Sequence, residues 1–380
     1  MENIIYLDNA ATTKCLPNVR DIVEKYSNDF FYNPSSVYMG AVQVRKDLEN
    51  ARKELLNLLG ASNHKLLFLS GATEANNLIF NSLNLRAGDK ILVSVGEHPS
   101  VYNRAIKEKE RGIVVDFINL NSDGIVDIDD LKSKLDEKVK LVSCMYVSNE
   151  TGAVNDIKKI CKIVKSYNSN ICFACDGVQS FGKINVNLDL LGVDYFVLSA
   201  HKIHGPKGIG ALVYNKQRKI VPLLYGGGQE ENLRSGTENV AGIMGLHAAA
   251  KHAIDNLKNN FDRVSNLKQN FKIKIIDANI GAIINADNET SSPYILSISI
   301  PNIRGEVLLH MLEGYGIYIS TGSACSSKHS DNRILEAMGR NKTEVMGSIR
   351  ISFNAIDKYD IDYIASKIID TIKELKGKIN

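Results

Sequence analysis

From about residue 43 to 255, short apolar runs alternate with longer segments of helical periodicity. The runs fall at 66–69, 90–95, 113–118, 139–147, 171–175, 195–198 and 211–214. They lack polar alternation, the pattern of strands buried on both faces. Between them Val44, Leu48, Ala51, Leu55 and Leu58 step by three and four, which predicts an amphipathic helix over 43–59. Strands alternating with helices imply an α/β fold whose central sheet is mainly parallel and carries helices on both faces. Beyond about residue 256 the texture changes to alternating strands, at Leu296 to Ile300 and Ser348 to Phe353, interleaved with helices. A final helix is predicted to start near Asp357 as N-cap, with Ile361, Ile364, Ile368 and Ile372 on one face. The expected organisation is a large domain over 15–255 and a smaller α+β domain over 256–380 joined by 1–14.

Length agrees with two domains, since 380 residues exceed what one core ordinarily supports. Hydrophobic residues at 44% and charged residues at 23% fit a globular chain rather than a disordered one. A net charge of +3, from 46 basic against 43 acidic residues, leaves no electrostatic footprint for nucleic acid. No leader-like start and no run near the length of a membrane span is visible, so a cytoplasmic protein is expected. Six cysteines are too sparse for a disulfide scaffold, and reduced thiols are expected.

The segment Cys172-Phe173-Ala174-Cys175-Asp176-Gly177-Val178-Gln179-Ser180-Phe181-Gly182-Lys183 admits several readings. On a strand, Cys172 and Cys175 point to opposite faces, which argues against a shared zinc ion, and no metal site is expected. Residues 177–183 nearly form a P-loop, but Ile184 stands where a magnesium-binding hydroxyl belongs. Asp176 lies at the carboxyl end of a buried strand, where open α/β sheets bind ligands; a helix N-cap is the plain alternative. Lys202, after the run ending at Leu198 and followed by glycines, is a candidate Schiff-base lysine or part of a basic surface loop. Ser70-Gly71-Ala72-Thr73-Glu74 opens a helix after a strand, as an anion site or as ordinary capping. His98 also follows a strand. Together these supply a phosphate cup, a carboxylate, a lysine and a histidine at one sheet edge, the partners that pyridoxal phosphate requires.

The same residues carry a family resemblance. Tyr6 to Thr13, Asn33-Pro34-Ser35-Ser36, Ser70 to Glu74, Glu97-His98, Asn149-Glu150-Thr151-Gly152, Asp176 to Gln179, His201-Lys202, Gly226 to Glu230, Arg234 to Thr237 and Gly322-Ser323-Ala324-Cys325 resemble, in order, the motifs of NifS/IscS-type cysteine desulfurases. The resemblance implies a fold-type I, pyridoxal 5'-phosphate-dependent transferase, homodimeric, with sites between subunits. It implies Lys202 as the lysine that carries the cofactor and Asp176 as partner of the pyridine nitrogen. Ala72, Thr73, Ser199 and His201 resemble the phosphate cup, with Thr237 reaching in from the other subunit. Asn149 and Gln179 resemble the partners of the ring hydroxyl, and His98 the imidazole stacked on the ring. Arg350, assisted by Asn33, stands where the substrate carboxylate binds, and Cys325 resembles the nucleophile that accepts sulfur as a persulfide. The other five cysteines read as structural.

The implied activity converts L-cysteine to L-alanine. The sulfur acceptor is an iron–sulfur scaffold or a tRNA sulfurtransferase. A class V aminotransferase or selenocysteine lyase would share every feature except the role of Cys325. A nucleotide-binding regulatory protein is the reading from another class. Tyr38, Ser148 and Gly177 depart from residues common in relatives, which have histidine, asparagine and alanine there. The polar segment from Cys325 to Leu335 resembles the extended-loop group. The longer tail by which some relatives hold a scaffold is not expected.

Overall fold

The computed structural model describes residues 4–321 and 333–379. The first strand, β1 (Ile5–Tyr6), precedes seven strands of one sheet: β2 (His64–Leu69), β3 (Lys90–Ser94), β4 (Val114–Ile118), β5 (Val139–Ser143), β6 (Cys172–Asp176), β7 (Tyr195–Ser199) and β8 (Gly210–Asn215). Their order is β2-β8-β7-β6-β5-β3-β4, and all pairings are parallel except those of β8 with its two neighbours. The mainly parallel sheet expected from the apolar runs is what forms.

Burial on both faces explains the missing polar alternation. Phe68, Val142, Phe173, Cys175, Phe196 and Leu198 join one hydrophobic layer, while Leu67, Leu141, Ala174, Tyr195 and Val197 join the layer opposite. Cys172 packs against that second layer, so the two cysteines of the CxxC do face apart. The helix Met39–Leu58 covers the first face with Val44, Leu48, Ala51 and Leu55. Burying each of its larger apolar side chains contributes about 1.5–3 kcal/mol. It starts four residues earlier than its apolar stripe predicts, after Tyr38. The helix Ala72–Ser82 covers the second face with Ala75, Leu78 and Ile79.

The later strands are β9 (Ile283–Asn285), β10 (Ile295–Ser299), β11 (Ile317–Tyr318), β12 (Ser320–Thr321) and β13 (Ser348–Ser352). Four form an antiparallel sheet in the order β12-β13-β10-β9. Against it pack the long helices Leu257–Asp277 and Ile361–Ile379, the latter burying Ile364, Ile368 and Ile372 with Ile361 at the margin. β1 pairs parallel with β11, and Leu7 and Ala10 enter the same core, so the start of the chain is built into this second layer system.

Three local expectations are corrected. The final helix is capped by Asp360, whose Oδ1 accepts the Tyr363 amide at 3.0 Å, whereas Asp357 accepts from the Asn354 side chain. The fourth apolar run, 139–147, stops being a strand at Ser143, although the Cys144 and Tyr146 amides still donate to Ala174 and Asp176. The polar segment reaching to Leu335 gives way to a helix, Arg333–Ala337. Among the described residues no helix is long and apolar enough to cross a membrane.

Candidate active site

Because β2, β3, β5, β6 and β7 run in the same direction, their carboxyl ends share one edge. The segments leaving those ends line a cavity of about 630 Å³, a volume suited to a cofactor with a small substrate. Its wall contains Ala72, Thr73, His98, Asn149, Asp176, Gln179, Ser199, His201, Lys202 and Arg350, which sequence reasoning singled out from distant segments.

Asp176 ends β6 and is buried. Its carboxylate accepts the Asn76 side-chain amide at 3.1 Å and the Val178 backbone amide at 3.0 Å, which fixes its orientation. Glu97 lies fully buried at the end of β3; burial first, and then the charge of Asp176, pushes its carboxyl well above the usual range.

Lys202 follows β7 in a short 3₁₀ turn, Ala200–Lys202. Its Nζ donates to the carbonyls of Ala10 and Ala11, each at 2.7 Å. Burial, and next the neighbouring Arg350, pushes its amine down to about 8. His201 pairs through Nδ1 with Thr12 Oγ1 at 3.1 Å. Burial, followed by the charges of Lys202 and Lys207, pushes it down to about 4, so the imidazole is neutral near pH 7.

The helix Ala72–Ser82 begins at the cavity wall, and amides of its first turn have no partner within the helix. Glu74 accepts the Ser70 amide at 2.7 Å and Arg234 Nε at 3.1 Å. Although burial opposes it, these bonds hold the Glu74 carboxyl below its ordinary range. His98 caps the helix Pro99–Glu108, its Nδ1 accepting the Ser100 amide at 3.1 Å, and stands exposed at the cavity.

Arg350 lies on β13 of the smaller sheet and reaches across to the same cavity. Nη2 donates to Asp8 Oδ1 at 2.7 Å and Nη1 to the Asn149 carbonyl at 2.9 Å. Two buried atoms of the wall, Arg350 Nε and Asn149 Oδ1, have no hydrogen-bond partner among the described residues. A donor and an acceptor left unpaired beside a cavity are what a polar ligand would satisfy. With a cationic end at Lys202 and Lys207, a helix N-terminus and an opposed carboxylate, the donor set fits a phosphorylated pyridine aldehyde.

Two expected residues do not join the cavity. Asn33 is exposed, its Oδ1 accepting the Ser35 amide at 2.9 Å. Thr237 is exposed beside a neighbouring cleft that shares Ser70 and Gly208 with the main cavity. Cys325 lies outside the described residues. Sequence reasoning assigned no role to Asp8, nor to the carbonyls of Ala10 and Ala11. The motif holding them was visible, but carbonyls leave no side-chain signature. Among the described residues no group of three or more His, Cys, Asp or Glu could hold a metal ion.

Comparison with known proteins agrees with this geometry. Residues 5–364 match the family model of class-V aminotransferases. A cysteine desulfurase IscS from Dictyoglomus turgidum is 35% identical over 382 residues, covering 99% of this chain and 96% of that protein. A solved NifS-like protein superposes with a TM-score of 0.91 at 34% identity, covering 98% of this chain and all of that one. A structure described as SspA in complex with cysteine gives a TM-score of 0.78 at 26% identity, covering 93% of this chain and all of that one. A match of this extent in sequence and fold makes the chain a member of the class-V aminotransferase family, among its cysteine desulfurases.

Proposed function

We propose that this protein is a pyridoxal 5'-phosphate-dependent cysteine desulfurase, which converts L-cysteine to L-alanine and takes the sulfur onto Cys325 as a persulfide. The observation that carries the reading is the convergence on one cavity of Lys202 and Asp176, from two strand ends of the large sheet, and of Arg350, from within β13 of the smaller one. When bound, the cofactor supplies an electron sink that loosens bonds around the substrate α-carbon.

The protein's own groups do the rest. Ala72, Thr73, Ser199 and His201 would hold the phosphate, Asp176 would pair with the ring nitrogen, and Asn149 and Gln179 would pair with the ring oxygen. His98 would stack on the ring. Arg350 takes the substrate carboxylate in a planar, charge-assisted fork, and Asn33, which lies outside this chain's cavity, would have to move to assist it. Lys202, whose lowered pKa leaves part of it neutral near pH 7, holds the cofactor and then moves the α-proton. The Cys325 thiolate attacks the substrate sulfur; the carbon–sulfur bond breaks with its electron pair left on carbon, which a proton takes up to give alanine. The persulfide then passes to an acceptor protein.

The other cysteines support this choice by their chemistry. Burial pushes Cys144 and Cys175 well above the ordinary thiol range and Cys161 to about 12, and it raises Cys15 and Cys172 as well. A thiol held protonated is a poor nucleophile. The relative bound to cysteine supports the substrate.

The cofactor-binding unit is 15–255, and 256–380 with 1–14 form the smaller unit. Two copies complete two sites, Thr237 serving the neighbour's phosphate; its exposure outside the chain's own cavity supports that role. The acceptor is an iron–sulfur scaffold or a tRNA sulfurtransferase, and the reaction takes place in the cytoplasm. The test is alanine and sulfide production from L-cysteine with a reductant and no keto acid, in the parent and in Cys325→Ser. Production in the parent and loss in the variant is expected. Alanine that requires a keto acid, or persulfide on another cysteine, would overturn the reading.

A further inference from the structure

The segment 177–183, whose likeness to a P-loop lacks its hydroxyl, forms consecutive turns closed by the Phe181 amide on Gly177 and the Ile184 amide on Ser180. The turns set Gln179 in the cavity wall and carry Lys183, four residues on, into the interior behind it. Lys183 is 6% exposed and takes part in no salt bridge among the described residues. Its Nζ donates to Gln179 Oε1 at 2.7 Å and stands 5.7 Å from the Tyr294 ring centroid. The amine acts here as a donor, and it is the amide oxygen that faces it. The Gln179 Nε2 is thereby turned the other way, where it donates to the Ala10 carbonyl at 2.9 Å. That carbonyl also accepts Lys202 Nζ. A continuous chain runs from Lys183 through Gln179 and Ala10 to Lys202.

We propose that Lys183 is a positioning residue for the cofactor site, acting through the Gln179 carboxamide whose orientation it fixes. The inference rests on the reading that Gln179 faces the cofactor ring. A buried amine without a carboxylate partner is costly, and burial, then Lys202 and Arg350, pushes this one down to about 7. An apolar residue would fill the space at lower cost. What an apolar residue lacks is the donor that distinguishes the two ends of the amide.

The test is a double-mutant cycle of Lys183→Met and Gln179→Ala in the full chain. Pyridoxal phosphate affinity and the visible absorption maximum of the reconstituted protein are its readouts. Lys183→Met is expected to weaken affinity about tenfold and to shift the band. Gln179→Ala should do the same, and the double variant should lose no more than either single one. Losses that multiply in the double variant, or an unchanged Lys183→Met, would overturn the proposal. If Lys183→Met does not fold, Lys183→Gln, which keeps a donor on a shorter stem, enters the cycle. Its losses should likewise fail to multiply, and the same result would overturn the proposal. A parent that takes up no pyridoxal phosphate would instead refute the functional reading itself.

Discussion

The ring of Phe196 occupies the space that a β-carbon on Gly177 would need. A β-carbon built there falls far inside van der Waals contact with Phe196 Cζ, Cε1 and Cε2. Phe196 is fully buried on β7, and its neighbour β6 ends at Asp176, one residue before this glycine. The glycine that departs from the alanine common in relatives is therefore matched to a large ring across the strand pair. Gly177→Ala should destabilise the protein by about 1–3 kcal/mol through overpacking. Gly177→Ala with Phe196→Leu should recover most of the loss. Urea unfolding of the three proteins measures this, and a single variant as stable as the parent would refute the match.

Lys202 sets a pH dependence. With its amine near pH 8 instead of the ordinary 10.5, roughly a quarter is neutral at pH 7.5, against roughly one part in a thousand for an unperturbed lysine. Capture of pyridoxal phosphate by the cofactor-free protein should rise with pH, with a midpoint near 8, and Arg350→Ala should move the midpoint upward. Stopped-flow absorbance reports both, and a midpoint near 10 would contradict the assignment. Between pH 8 and 10.5 the unfolded chain holds more protons on this lysine than the folded one. Its contribution to stability is therefore unfavourable below pH 8 and vanishes as pH rises towards 10.5. Lys202→Ala should abolish the visible band of the lysine-bound cofactor.

Arg350 donates from two different nitrogens, to Asp8 and to the Asn149 carbonyl, which holds its guanidinium plane. Lysine would keep the charge and lose the plane. Arg350→Lys should lower kcat/KM for L-cysteine by roughly a hundredfold, the loss of about 3 kcal/mol of charge-assisted hydrogen bonding. Steady-state alanine formation measures it, and a loss of less than threefold would remove Arg350 from carboxylate binding.

Glu230, its side chain 4% exposed, is held by Arg52 through bonds of 2.9 and 2.8 Å and accepts the Phe68 amide at 3.0 Å. Arg52→Ala would strand that carboxylate in the interior beside β2. A loss of about 3–5 kcal/mol is expected, read from denaturant unfolding; a loss within 1 kcal/mol would show that Glu230 finds another partner.

The sheet was legible because its inner strands are covered on both sides, so that residues such as Tyr195, Phe196, Val197 and Leu198 had to be apolar in sequence. Asp357 and Asp360 shared the composition of a cap, and the choice between them depended on Asn354, a contact across a turn. Cavity residues at strand ends were legible because topology alone brings such ends together. Asp8 was not, because its partner Arg350 lies 342 residues away on the other sheet. Nor was Lys183, whose role depends on the side of an amide it faces.

The clasp of β1 on β11 and of Asp8 on Arg350 orders the assembly of the site in time. Residues 5–13 leave the ribosome well before residues 317–352, yet the two stretches must meet before Ala10 and Ala11 can offer their carbonyls to Lys202. The long sheet can form first while its lysine still lacks those two acceptors. The acceptors of Lys202 are thus complete only in a chain whose two ends have found each other.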